Sequence, residues 1–224
     1  MEALSAEHVG AVAATVIVAA VAVPAARRRP VAVSRALAVL IGATYAVEHA
    51  DFIARGDWEA DFNLPLHLTD AVTLVSVAAL WTARPLLVEL TYFWALTASL
   101  QAVLTPDLGS AEYPDLLFWT FFITHGGAVV AALVLVVGRR LVPRRGAVRR
   151  VFAITAGFAV LAAAGNLLTG GNYMVLREKP RSATLLDAMG PWPVYIPVAA
   201  ALALLLFRLL DEPFRRRREH AARS

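Results

Sequence analysis

The stretch LLFWTFFITHGGAVVAALVLVVG, residues 116–138, carries no Asp, Glu, Lys or Arg and is long enough to cross a bilayer as one helix. It belongs to a set of seven apolar runs of similar length. The runs cover residues 9–26, 31–53, 64–82, 86–104, 116–138, 151–169 and 193–210. No segment between them is long enough for a soluble domain. We therefore predict an all-α, polytopic membrane protein, with a bundle of seven transmembrane helices in one domain (1–210) and a basic, disordered cytoplasmic tail (211–224).

The composition indicates the same class of protein. Hydrophobic residues make up 59% of the 224 residues, charged residues make up 17%, and the mean hydropathy is +0.63. Soluble domains are typically about half apolar and about a quarter charged. The sequence contains no cysteine, which excludes disulfides, thiolate metal sites and a cysteine nucleophile.

The placement of the positive charges predicts the orientation in the membrane. The net charge is +4, and most of the 21 Lys and Arg residues lie in the first, third and fifth loops or in the C-terminal tail. The second, fourth and sixth loops contain only Arg55, Arg177, Lys179 and Arg181. Because cytoplasmic loops are enriched in Lys and Arg, we predict an N-out, C-in topology in a bacterial cell membrane. Basic segments that face anionic lipid account for the charge without nucleic acid as a partner.

Polar side chains within the apolar runs gather near their predicted outer ends. Ionisable residues in membrane spans are costly, so they usually face a protein interior or a cavity. The residues concerned are Glu48, His49, Asp51, His67, Thr69, Asp70, Gln101, Thr124, His125 and Asn166. We expect them to line an outward-opening cavity that is apolar in its depth and suits a lipid-like molecule.

Some of these residues also have ordinary structural interpretations. Glu48 and Asp51 are placed to reach headgroup water, and His8, near the N-terminus, is expected to be solvated. Trp94, Thr97, Gln101 and Thr105 recur at helical spacing, so we predict that they share one helix face.

Three kinds of chemistry fit the polar residues. The first is acyl chemistry, in which a hydroxyl attacks a carbonyl carbon and a base removes its proton. Thr69 would be the nucleophile and His125 the base. Asp70 or His67 would orient the base. Gln101 and Asn166 would donate hydrogen bonds to the oxyanion.

The other two kinds of chemistry need no nucleophile. His49, His67 and His125 have the right donor atoms for a zinc or iron site, although they come from separate runs. Transport or proton relay also uses such residues within the membrane. The loop cations Arg177, Lys179 and Arg181 could bind a lipid phosphate or could simply solubilise their loop.

Five segments resemble the YwaF-like family of integral membrane proteins, which includes the animal transmembrane protein 164 acyltransferases. The segments are LPLHLTD (64–70), SLQAVLTPD (99–107), FFITHGG (121–127), GNLLTGGNYMVLREKP (165–180) and LLDAMGPWPVYI (185–196). The family is similar, more distantly, to the androgen-induced membrane threonine hydrolases, which cleave fatty-acid esters.

The resemblance implies a seven-helix membrane protein that moves or cleaves fatty acyl chains. It places Thr69 where the animal acyltransferases have a cysteine, and His125 where they have a histidine. Threonine is the residue type that the more distant hydrolases use. We therefore expect a lipid-ester acyl hydrolase or acyltransferase that needs no cofactor and acts on phospholipids or fatty-acyl esters. His49, Gln101, Asn166, Arg177, Lys179 and Arg181 are the expected substrate-binding residues. The alternative is a non-catalytic lipid-binding or solute-binding protein or a transporter that uses the same cavity.

Overall fold

The structure is a computed structural model that describes residues 4–109, 111–180 and 185–221. All regular elements in these ranges are helical. The α-helices are α1 (Ala6–Arg28), α2 (Pro30–Arg55), α3 (Leu68–Thr82), α4 (Pro85–Trp94), α5 (Leu100–Leu104), α6 (Leu116–Leu133), α7 (Ala147–Thr169) and α8 (Tyr195–Ala221). Two π-helical segments, Ala95–Ser99 and Val134–Gly138, continue α4 and α6, and two short 3-10 helices, Tyr173–Val175 and Leu185–Met189, lie between α7 and α8.

The helix ends follow from local residue chemistry. The hydroxyl of Ser5 accepts a hydrogen bond from the amide of His8 and so caps α1. Pro30 and Pro85 begin α2 and α4, where a missing N–H is harmless. Gly56 ends α2 and Gly170 ends α7 in the left-handed conformation, with φ values of 76° and 82°.

The helices confirm the prediction of an all-helical, multi-pass membrane protein. In the described part of the chain, five helices are long and apolar enough to cross a membrane. They are Ala6–Arg28, Pro30–Arg55, Pro85–Leu104, Leu116–Gly138 and Ala147–Thr169. The helix Leu68–Thr82 is apolar but shorter.

Two predicted boundaries are wrong. The third run was expected to be helical from Leu64, but α3 begins at Leu68. Leu64 to His67 form a turn instead, with the amide of Leu66 donating to the carbonyl of Leu64. The tail beyond Asp211 was expected to be disordered, but α8 continues through it to Ala221.

By its internal contacts the chain divides into two compact units. Unit 1 comprises Met1–Asp57 and Thr69–Val142, and unit 2 comprises Trp58–Leu68 and Pro143–Ser224. Each unit therefore combines two separate stretches of the chain, and each is described by itself below.

In unit 1, α1 and α2 both pack against α6. Two adjacent glycines make this close approach possible. A Cβ atom on Gly126 would lie 2.6 Å from Oγ1 of Thr15 in α1, and one on Gly127 would lie 2.8 Å from Cγ1 of Ile41 in α2. The glycine pair after His125 therefore sets how near α1 and α2 come to the helix that carries this histidine.

Candidate functional site

His125 lies on α6 with its imidazole ring held in one orientation. Its Nδ1 atom is 2.8 Å from the carbonyl oxygen of Phe121 and 3.2 Å from the hydroxyl of Thr124. The ring stacks on that of Phe121 at 4.2 Å. Because a carbonyl can only accept, Nδ1 carries the hydrogen, and Nε2 of the neutral ring has the free lone pair.

The group that orients the His125 ring is not the one that was predicted. Asp70 or His67 was predicted to orient the imidazole, but the backbone carbonyl of Phe121 does so from one turn earlier on the same helix. Nε2 has no hydrogen-bond partner among the described residues. The ring of His125 is thus held through Nδ1 by its own helix, with the lone pair of Nε2 free.

Thr69 and Asp70 lie in the first turn of α3, and both side chains are half-buried. Helix α3 approaches α2 at two points: a Cβ atom on Gly42 would lie 3.6 Å from Cγ1 of Val77, and the Arg35 guanidinium lies 5.3 Å from the ring centroid of Trp81. Since α6 also packs on α2, the predicted nucleophile and base occupy two helices that share one neighbour. In the described part of the chain, no hydrogen bond joins the Thr69 hydroxyl to His125.

Helix α2 carries three polar side chains within about one turn of each other: Tyr45, Glu48 and His49. The rings of Tyr45 and His49 stack at 4.2 Å, and Nδ1 of His49 donates to the carbonyl of Tyr45 at 3.1 Å. The carboxylates of Asp70 and Glu48 both interact electrostatically with Tyr45. The sequence did not single out Tyr45, because a tyrosine in an apolar run is typical of the protein core or of the membrane interface.

A cavity of about 290 Å³ lies at the Arg55 end of α2 within unit 1. Its wall combines charged residues with apolar ones: Glu48, Asp51, Phe52, Arg55, Asp57, Ala111, Asp115, Leu116, Leu117 and Thr120. Arg55 pairs with Asp51 at 2.9 Å. Glu48 and Asp51, interpreted above as reaching headgroup water, therefore line a cavity in which four carboxylates face one guanidinium.

The spacing predicted that Gln101 shares a helix face with Trp94. The structure does not show this. Trp94 is only 2% exposed, whereas Gln101 and Thr105 are exposed. The cause is the π-helical segment Ala95–Ser99 between them, since a π turn holds more residues than an α turn and so shifts the register of the residues that follow it. Gln101 is not part of the cavity wall.

In unit 2, His67 lies in an aromatic cluster. Its ring centroid is 5.7 Å from that of Phe62 and 4.9 Å from that of Tyr173. Its Nε2 atom is buried and has no hydrogen-bond partner among the described residues. Burial lowers the pKa of His67 below its usual value, so the ring is neutral near pH 7.

Asn166, also in unit 2, holds the backbone of Tyr173 with both ends of its amide. Its Nδ2 donates to the Tyr173 carbonyl at 3.0 Å, and its Oδ1 accepts from the Tyr173 amide at 2.6 Å. The Tyr173 hydroxyl in turn donates to the carbonyl of Ala60 and accepts from the amide of Leu64. Asn166 therefore fixes the segment that precedes His67.

The predicted phosphate-binding cations already have partners inside unit 2. The guanidinium of Arg177 donates to the carbonyls of Gly170 and Gly171 at the end of α7. Lys179 lies 3.6 Å from the carboxylate of Asp187. Arg181 lies outside the described residues.

His8 was expected to be solvated, and this is wrong. It is 3% exposed, its Nδ1 accepts from the amide of Leu4, and its Nε2 donates to the carbonyl of Val103 at 2.9 Å. Val103 is among the last residues of α5, whose final carbonyls have no partner within the helix. His8 therefore fastens the start of α1 to the end of α5.

The metal interpretation finds no geometric support in the part of the chain that the structure describes. No three His, Asp or Glu side chains there are close enough to hold one ion. His49 and His125 each commit Nδ1 to a backbone carbonyl of their own helix.

Comparison with known proteins gives one finding. The family model of the TMEM164 family matches residues 3–211. No curated protein and no solved structure matches the chain.

Proposed function

The chain belongs to the TMEM164 family over nearly its whole length, and from that premise we propose that it is a membrane-embedded enzyme that hydrolyses or transfers the acyl groups of lipid esters. Thr69 would attack the acyl carbonyl and His125 would take its proton. The substrate class would be phospholipids or other fatty-acyl esters.

The observation that carries this proposal is the fixed ring of His125. A general base needs a free lone pair at a defined position, and a second group usually fixes the imidazole tautomer that provides it. The Phe121 carbonyl accepts the hydrogen of Nδ1 and leaves Nε2 as the acceptor.

The reaction would proceed in two balanced steps. In the first, the Thr69 proton moves to Nε2 of His125 as the hydroxyl oxygen bonds to the acyl carbon, and the electron pair of the carbonyl bond moves to its oxygen. That pair then returns, the ester bond breaks, and His125 gives the proton to the leaving alcohol. In the second step, water (hydrolysis) or a lipid hydroxyl (transfer) attacks the acyl carbon of the acyl-threonine and gives its proton to Nε2 of His125. The bond between the acyl carbon and the Thr69 oxygen then breaks, and His125 returns the proton to the Thr69 hydroxyl.

We further propose that α3 and α8 complete a bundle of seven spans with an N-out, C-in orientation. The basis is the positive-inside rule, since Arg-rich segments follow α1 and α6, Arg84 follows α3, and a basic segment ends the chain. In that orientation Thr69 and the cavity at the Arg55 end of α2 would be open to the outer leaflet.

One observation favours a second candidate, a lipid-binding protein or transporter without catalysis. Within the described residues the Thr69 hydroxyl does not hydrogen-bond to His125, so the pair would have to draw together when substrate binds. The acid-lined cavity could then hold a lipid or solute without chemistry.

A fluorophosphonate probe, applied to the purified protein in lipid nanodiscs, separates these functions. The catalytic proposal predicts covalent labelling of the wild type that is lost in Thr69→Ala and in His125→Ala. Thr82→Ala is the matched control, because the hydroxyl of this exposed threonine at the end of α3 bonds to nearby backbone, the carbonyl of Ala78 and the amide of Arg84. Labelling that persists in both site variants, or no labelling at all, contradicts the catalytic proposal. Stable retention of fluorescent lipid by an unlabelled protein would support the second candidate.

A further inference from the structure

The hydroxyl of Tyr45 has no partner inside the described part of the chain. The atom is buried, and no hydrogen bond reaches it. Buried polar groups are nearly always paired, so an unpaired donor in a protein interior indicates either a structural cost or a ligand that supplies the missing acceptor.

The hydroxyl of Tyr45 differs from the other hydroxyl groups of unit 1 named here, because it has no backbone carbonyl of its own helix within reach. Thr73 and Thr124 donate to carbonyls one turn back on their own helices. The unpaired hydroxyls of Ser76 and Ser99 can reach such carbonyls by rotation about one bond. The hydroxyl of a tyrosine lies at the far end of the ring and cannot reach its own helix, so its acceptor has to come from elsewhere.

The position of Tyr45 relates this donor to the proposed reaction. Its side chain is half-buried and stacks on His49, and it interacts with Asp70, the neighbour of Thr69 in the chain. Glu48, less than one turn further along α2, is part of the cavity wall. A lipid that enters past Glu48 comes within about one helical turn, roughly 5 Å, of Tyr45.

The surrounding charges narrow the kind of acceptor. The cavity that Glu48 helps to line has four carboxyl side chains and one guanidinium, and this excess of acidic groups disfavours an anionic phosphate. The carbonyl oxygen of an ester is neutral in the ground state and gains charge only during attack. A neutral carbonyl is therefore the better partner for this hydroxyl.

We propose that Tyr45 is a catalytic residue whose hydroxyl donates a hydrogen bond to the ester carbonyl oxygen while Thr69 attacks the carbonyl carbon. This inference rests on the proposed function. The carbonyl electron pair moves onto the oxygen as the new bond forms, and it returns when the alcohol leaves. Tyr45 keeps its proton throughout and stabilises the transient negative charge.

The test compares Tyr45→Phe with Tyr113→Phe in nanodiscs. The first removes the buried hydroxyl and keeps the ring that stacks on His49, and the second removes a hydroxyl from an exposed tyrosine of the same unit. Three quantities are measured: kcat and KM for a fluorogenic fatty-acid ester, the rate of fluorophosphonate labelling, and the Tm. We expect Tyr45→Phe to lower kcat and the labelling rate roughly 100- to 1000-fold, with KM changed less than about threefold and Tm not lowered. Tyr113→Phe should match the wild type.

Each other outcome has a distinct meaning. Hydrolysis that needs Thr69 and His125 but is unchanged in Tyr45→Phe refutes the role of Tyr45 and leaves the proposed function intact. A fall in Tm that accompanies the fall in kcat shows a structural partner for the hydroxyl and also refutes it. A wild type that neither turns over the ester nor reacts with the probe overturns the proposed function and, with it, the role of Tyr45.

Discussion

Replacing Asn166 by alanine should destabilise the protein substantially. The amide of Asn166 is the partner of both the backbone N–H and the backbone C=O of Tyr173, which is fully buried. The alanine variant leaves the Tyr173 N–H without its acceptor and takes one of two donors from the Tyr173 carbonyl, which keeps the amide of Leu176 at 3.4 Å. An unpaired buried group costs about 1–3 kcal/mol and a lost hydrogen bond about 0.5–1.5 kcal/mol, so we expect the free energy of unfolding to fall by about 1.5–4.5 kcal/mol.

The assay is thermal unfolding of the purified protein in detergent, combined with amide hydrogen exchange. With about 2–4 °C of Tm lost per kcal/mol in a chain of this size, Asn166→Ala should lower the Tm by at least about 3 °C. The Tyr173 amide should exchange faster, because it has lost its acceptor. Leu168→Ala is the control, since this side chain on the same helix is 87% exposed.

A Tm for Asn166→Ala within about 1–2 °C of the Leu168→Ala value would refute this reasoning. Such a difference corresponds to about 0.5 kcal/mol, which is the range for surface substitutions. So would unchanged exchange at Tyr173, because it would mean that the amide of Asn166 is not the acceptor that protects this N–H. Either result would mean that the side-chain amide of Asn166 is available for the oxyanion role that its position in the sequence suggested.

Three further predictions concern packing, protonation and the end of α1. Gly127→Ala should destabilise by about 1–3 kcal/mol through overpacking, whereas Gly157→Ala, with open space at its Cβ, should be neutral or stabilising in the same thermal assay. Because burial lowers the pKa of His67, the folded state binds its proton less readily than the unfolded state, so stability should fall as the pH drops below about 6.5. His67→Phe should reduce that slope in unfolding measured from pH 7.5 to 5, and an unchanged slope would assign the pH dependence to other groups. His8→Ala should lower the free energy of unfolding by about 1–3 kcal/mol, because the Val103 carbonyl loses its donor, and an unchanged Tm would contradict that contact.

The positions of the helices could be predicted because length and hydropathy are properties of each run by itself. The start of α3 could not be predicted from its own run. Leu64 and Pro65 look like a helix start, but the preceding turn is held by the Tyr173 hydroxyl, which donates to Ala60 and accepts from Leu64. A contact between residues more than a hundred positions apart leaves no local trace in the sequence.

The candidate site was predictable to a similar degree. His125 stands out because an ionisable side chain within an apolar run is costly, yet its orienting partner is a backbone carbonyl, which no residue type reveals. His8 was misjudged because its acceptor, the Val103 carbonyl, becomes available only where α5 ends. Gln101 was assigned to the wrong face because the spacing argument assumed an unbroken α-helix.

The π-helical segment Ala95–Ser99 also bears on how this chain should be aligned with its relatives. A π turn accommodates one residue more than an α turn without displacing the helix on either side. A relative that lacks one residue in this segment could therefore form a regular α-helix there and keep both flanks in place. Length differences of a single residue in this family are then expected inside an apolar run, at 95–99, as well as in the loops where gaps are usually placed.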